Sequence, residues 1–309
     1  MILLYLFTYV AVLVFMTLVI SKIVKYASAP VHVRWELYPV AHEPEKNKYG
    51  GSYYEEAGWW KNSLKKNHVA ELWAMFEEIV FLKGVYHHNR KLWYFSFPFH
   101  FGLYLITATL FFMLLSIILD LMSVLALSDT QSAFGQFLIF ITNATGYVGL
   151  ALTFFGCIGL FVKRLTDDKF KFYNAPMDFI NLIFIAVLVV SIFLTLFYSN
   201  PSFMMSKQFV KNLAIFNFAE ISDTVFIVHI ILIALFLLYF PITRMMHLFA
   251  KYFLYHNVRW EDEPNVKGGK LEPRIKEALN FGVSWSAPHM KTGKTWAEVA
   301  TTLPPEAKQ

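Results

Sequence analysis

Charge is scarce in this chain, and cysteine is almost missing. Only 16% of the 309 residues are charged, while 57% are hydrophobic and 18% aromatic, and the mean hydropathy is +0.47. A soluble domain has no means of hiding that much apolar surface, so lipid is the implied solvent. A lone cysteine, Cys157, excludes a disulfide framework and an iron–sulfur cluster held by this chain alone, so any such cluster belongs to a partner. No Ser, Cys or carboxylate constellation suggests hydrolysis. No solenoid or inverted-transporter repeat is present, and the recurrence of Val33-Arg34-Trp35-Glu36 as Val258-Arg259-Trp260-Glu261 is too short to count as one. The run Thr292-Gly293-Lys294-Thr295 has the ending of a phosphate loop, but Pro288 occupies the position of the required glycine.

What the chain does have is long uncharged runs. A membrane-spanning helix needs roughly 20 apolar residues, and five stretches supply them: Met1 to Ile20, the stretch that follows Lys91 and lasts to Leu119, Thr130 to Val162, Phe179 to Ser206, and Thr224 to Thr243 with a continuation toward Phe249. The first run could be read as a cleavable leader ending at Ala27-Ser28-Ala29. It has no positive residue ahead of it, however, and Lys22 and Lys25 follow it, which is the pattern of a retained helix.

Of the 27 Lys and Arg residues, 25 fall in segments 21–91, 163–178 and 244–309, leaving only Lys207 and Lys211 on the other side. The positive-inside tendency then places the N-terminus outside and the C-terminus in the cytoplasm. The expected fold class is an all-α, integral membrane five-helix bundle. Its parts are a first spanning helix over 1–26, a cytoplasmic loop with an amphipathic helix over 27–91, a four-helix membrane region over 92–250 and a cytoplasmic tail over 251–309. The net charge of +5 follows from this topology and is no sign of nucleic-acid binding.

Within the loop, Val69, Leu72, Trp73, Phe76, Ile79 and Val80 recur at helical spacing, with Asn67 placed to cap and Gly84 to terminate. Segments 42–62 and 261–294 are rich in Gly, Pro, Asn and charge, and read as extended or irregular chain. Trp35, Trp59, Trp60, Trp73, Trp260, Trp285 and Trp296 lie in the cytoplasmic parts, and Trp93 begins the second span; interfacial anchoring and partner docking both account for them. The pair His87-His88 reads as solvated loop.

His100, His229 and His247 are the histidines inside the expected spans. An ionisable side chain in lipid calls for a specific partner. A haem iron takes two neutral imidazoles, one from each of two facing helices, provided their depths agree. His100 follows Arg90 and Lys91, and His247 lies between Arg244 and Lys251, so both belong near the cytoplasmic end. Eighteen residues make about five turns of continuous α-helix, which puts His229 and His247 on one face roughly 27 Å apart, unless Pro241 bends the helix. Arg244 reads either as a partner for a haem propionate or as a snorkelling arginine. Spacing alone leaves open a histidine-lined transporter or channel, and also a haem-free membrane anchor.

The run from His229 to His247, ending in Phe240-Pro241-Ile242-Thr243-Arg244-Met245-Met246-His247, closely resembles the fifth helix of respiratory nitrate reductase gamma subunits. Phe99-His100-Phe101-Gly102 is similar to the start of their second helix, and Lys163-Arg164 followed by Asp178 to their third-to-fourth connection. The resemblance implies b haems held by histidines on the second and fifth helices and quinol oxidation near the outer haem. It makes His100 and His247 the ligands, through haem iron, of the haem nearer the cytoplasm, and His229 a ligand of an outer one. The family's second histidine on helix two falls ten residues after His100, where this chain has Leu110. The outer haem is thus left with a single haem-ligand histidine, with Met113 as a thioether candidate, a five-coordinate iron, a partner's ligand or no second haem as the alternatives. The loop residues Arg34-Trp35-Glu36-Leu37-Tyr38-Pro39-Val40 and Gly50-Gly51-Ser52-Tyr53-Tyr54-Glu55-Glu56 are similar to the branch of this family in the transmembrane redox and sulfite-reduction complexes of sulfate reducers. That likeness implies menaquinone as carrier, a cytoplasmic iron–sulfur partner similar to heterodisulfide reductase, and an extracytoplasmic cytochrome c as a further partner.

Overall fold

An apolar chain in a medium without water must satisfy its backbone internally, and the long runs do so as α-helices. The computed structural model describes residues 1–28, 41, 43–48, 55–61, 67–171, 174–199, 202–256, 266–287 and 290–302. Arg34 to Val40, Gly50 to Tyr54, Ala29, Pro288, Trp35, Trp260 and both copies of the Val-Arg-Trp-Glu tetrapeptide lie outside them. In chain order the helices are α1 Ile2–Ala27, α2 His68–Val80, α3 Lys83–His88, α4 Arg90–Leu121, α5 Ala133–Thr166, α6 Pro176–Tyr198, α7 Met204–Ala214, α8 Thr224–Tyr239, α9 His247–Leu254, α10 Leu271–Leu279 and α11 Trp296–Thr301, with single turns at Pro44–Asn47 and Asp168–Lys171. Five of them (α1, α4, α5, α6 and α8) are long and apolar enough to cross a membrane, so the expected five-span, all-helical architecture holds.

The chain divides into two units, one made of Met1–Thr17 and Met75–Thr243, the other of Leu18–Ala74 and Arg244–Gln309. In the first, α4 packs on α5, α5 on α6, α6 on α8, and α7 on α4; α4 and α8 are not among the close pairings. Small residues let α4 and α5 approach. A Cβ on Gly156 would lie 2.5 Å from the backbone nitrogen of Phe99, and one on Gly102 would lie 2.4 Å from the Thr153 hydroxyl. Thr109 and Thr145 share a hydrogen bond of 2.9 Å across the same interface. The Cys157 thiol donates to Leu182 O at 3.0 Å, joining α5 to α6. At the α5–α6 turn, Arg164 bonds Asn174 at 2.8 Å and Asp178 at 3.2 Å, so the residues of the expected third-to-fourth connection do meet.

Four expectations need correction. The fourth run does not continue to Ser206: α6 stops at Tyr198, and α7 starts again at Met204 after Phe203, whose φ is +58°. The fifth run is not a continuous helix to His247. After α8 come 3-10 turns at Phe240–Ile242 and Arg244–Met246, separated by an extended Thr243. Pro241 has no N–H to continue the ladder and its ring collides with the preceding turn, so the helix cannot pass through it unbroken. The shared-face argument for His229 and His247 therefore fails. Asn67 does cap α2, accepting from Ala70 N at 3.1 Å, but the helix ends before Leu82, which takes the left-handed conformation at φ +52°, and Gly84 lies inside α3. Finally, the segment read as irregular contains α10, because Leu271, Ile275 and Leu279 form one apolar stripe and Glu272 accepts from Gly268 N at 2.7 Å at its start.

In the second unit, α9 follows Met246 directly. Beyond α10, the chain forms a bridge between Gly282 and Thr295, and α11 carries a capping box in which Glu298 N donates to the Thr295 hydroxyl and Thr295 N to the Glu298 carboxylate.

Candidate functional site

Each of the three candidate histidines is held through the same ring atom, His100 and His229 within spanning helices and His247 exposed beyond the last span. His100 Nδ1 lies 2.7 Å from Ser96 O. A carbonyl only accepts, so Nδ1 carries the proton and the neutral ring keeps its lone pair on Nε2. His247 Nδ1 lies 2.9 Å from Arg244 O, and the same reasoning puts its lone pair on Nε2. His229 reaches the same state by another route. Its Nδ1 is 2.8 Å from the Ser191 hydroxyl, and that hydroxyl spends its single proton on Leu188 O at 2.7 Å. Ser191 therefore accepts, and His229 too presents Nε2 as the basic nitrogen. An imidazole fixed in this tautomer by an oxygen behind it is prepared to ligate iron.

His100 and His229 belong to the first unit, Arg244 and His247 to the second. Within the first, His229 is 5% exposed and sits beside Phe226, with ring centroids 6.5 Å apart. His100 is half-buried, with the Phe99 ring edge-on at 5.2 Å. Leu110, the position of the absent histidine, is 54% exposed, whereas Met113 is 5% exposed. Met113 lies one turn from Thr109, whose hydroxyl bonds Thr145 of α5.

The serines behind the histidines were missed in the sequence, although Ser191 is a rare hydroxyl in the α6 run. Also missed was α7, which forms a lid at the end of the unit where α4 finishes and α8 begins. Phe209 packs on Tyr5 at 4.9 Å and on Phe226 at 6.0 Å, Tyr9 donates to Leu213 O at 2.6 Å, and Lys211 pairs with Asp120 at 2.5 Å. Along α5, α6 and α8, Cys157, Ile158, Leu182, Ser191, Val228 and Leu232 help line an apolar groove of about 490 Å³ that reaches Ser191 itself.

The sequence pattern of one family, described as nitrate reductase gamma subunit, matches residues 85–261, more than half of the chain. No curated protein and no solved structure matches. The match takes in His100, His229 and His247 and four of the five spanning helices, and on it the chain belongs to the nitrate reductase gamma subunit family, the multi-pass haem b membrane subunits of redox complexes.

Proposed function

We propose that this chain carries electrons between menaquinone and a cytoplasmic iron–sulfur subunit similar to heterodisulfide reductase, with an extracytoplasmic cytochrome c as a further partner. His100 and His247 are the axial ligands of a haem b near the cytoplasmic face, Arg244 is placed in sequence to meet its propionate, and His229 is a ligand of a second haem deeper toward the outside. The observation that carries this reading is the common orientation: all three rings set Nδ1 against an oxygen.

Bound haem supplies a one-electron carrier between a two-electron quinol and one-electron clusters. The chain's own part is to hold and orient. Ser96, Ser191 and the Arg244 carbonyl fix the rings, and the apolar walls of α5, α6 and α8 exclude water. The groove bordered by Ser191 offers a lipid-soluble quinone an apolar approach along α5, α6 and α8.

A reduced-minus-oxidised spectrum of the purified membrane protein tests the proposal. A low-spin b-type signal is expected. A folded, colourless protein would overturn it in favour of a histidine-lined transport pathway or, if an iron–sulfur subunit still copurifies, a haem-free anchor.

A further inference from the structure

The close contacts between α4 and α5 keep a constant antiparallel register: Phe95 meets Gly159, Phe99 meets Gly156, Gly102 meets Thr153 and Thr109 meets Thr145. Continued by one turn, that register sets Lys91 of α4 level with Lys163 and Arg164 of α5. At this level a groove of about 1000 Å³ begins, and Lys91, Tyr94, Lys163 and Thr166 form its mouth.

The body of the groove is apolar. Ala151, Phe154, Ile158 and Val162 line it, and their spacing of three and four residues makes them one stripe of α5. Phe95 stands beside Phe155 with ring centroids 5.9 Å apart, and Phe193 of α6 borders the far end, edge-on to Phe154 at 6.4 Å. From Lys163 to Ala151 the helix rises about 18 Å, against roughly 15 Å for half of a hydrocarbon core about 30 Å thick. The groove is thus one leaflet deep, with its polar residues gathered at one end.

Charge at the mouth is unbalanced. Lys163 pairs with Asp167 at 2.8 Å and Arg164 with Asp178 at 3.2 Å. Lys91 is exposed and has no ion pair among the described residues, and none of the described residues that line the groove is acidic.

Depth and charge together select the occupant. A partner's spanning helix would need an apolar face across both leaflets, and a neutral quinone gains nothing from an unbalanced cation. A lipid with an acyl chain one leaflet long and a negative headgroup meets both conditions, because basic residues at the mouth of a cleft between spanning helices attract such headgroups. We propose that this groove binds an anionic phospholipid, with Lys91 as the main contact of its phosphate, Tyr94 and Lys163 beside it, and the α5 stripe against an acyl chain. The positive-inside tendency makes the leaflet the cytoplasmic one. The site needs no haem, so it stands or falls apart from the function proposed above.

Native mass spectrometry of the delipidated full-length protein in detergent, titrated with phosphatidylglycerol or with phosphatidylethanolamine of the same acyl chains, tests this. The wild type should hold phosphatidylglycerol about fivefold more tightly, the preference expected of one lysine without a counter-ion. Lys91→Gln should abolish most of that preference without changing phosphatidylethanolamine binding, whereas Lys91→Arg should keep it. Lys163→Gln should have a smaller effect, since Asp167 already shares its charge. Ala151→Phe, which fills the apolar body, should weaken both lipids alike. Equal affinity for the two lipids in the wild type, an unaltered preference in Lys91→Gln, or an equal loss in Lys25→Gln on α1 would each overturn the proposal, the last because it would show a diffuse charge effect. Mole-for-mole displacement of the lipid by menaquinone would overturn it too, by assigning the groove to the carrier.

Discussion

His100 and His229 reach the same chemical state by different means, and the contrast separates the two halves of the membrane unit. His100 takes its Nδ1 acceptor from its own helix, the Ser96 carbonyl four residues back. His229 takes its acceptor from a neighbouring helix, 38 residues away in the chain. The first arrangement exists wherever α4 is helical. The second exists only when α6 and α8 are correctly docked, so the His229 half should be the more sensitive to packing and the His100 half to helix and ligand identity.

The largest effect expected is all-or-none. His100→Ala or His247→Ala should each remove the same haem, measured as haem-to-protein ratio; full haem content in either variant would refute that pairing. Next comes Gly156→Leu. Because a Cβ at this position would lie 2.5 Å from the Phe99 backbone, the substitution should force α4 from α5 at a cost of about 3 kcal/mol or more. It should lower the unfolding temperature in detergent and disturb His100, one residue from that contact, before His229. Unchanged stability would show that the close approach is dispensable.

Ser191→Ala sharpens the contrast from the other side. It leaves the buried His229 N–H without an acceptor, for a loss of about 1–3 kcal/mol, and should broaden or shift the spectrum of the haem His229 serves while the one served by His100 is unaltered; equal effects on both would remove the distinction. The smallest effect lies in the second unit. Glu298 is held below its ordinary value by bonds from the Thr295 N–H and hydroxyl. A depressed carboxylate contributes stability that is complete above its unfolded value and is lost as pH falls through its folded one. Amide protection at the start of α11, measured relative to intrinsic exchange, should therefore fall only in acid, and pH-independent protection would discount the capping box.

Much of the architecture was legible because hydropathy acts on each run separately: α1, α4, α5, α6 and α8 each carry their own reason to be helical in lipid. His100, His229 and His247 stood out because each is an ionisable group in an otherwise apolar run. Less legible were the ends and turns. Pro241 signalled a break, yet the two 3-10 turns that followed depend on how the chain repacks beyond it. The α7 helix was hidden because Met204 to Ser206 extend an apolar run, and the left-handed Phe203 that starts the helix is held by Gly146, a residue far away in sequence.

By itself, then, the sequence determined which segments enter lipid, which face carries the scarce cations and which side chains are able to ligate a metal, since these depend on composition and local periodicity. The tertiary structure alone decided that Ser191 backs His229, that Met113 is buried while Leu110 is exposed, and that Phe203 sets the start of α7 against Gly146. Those outcomes depend on distances between helices, and such distances are set by the shapes of packed surfaces that no single run contains.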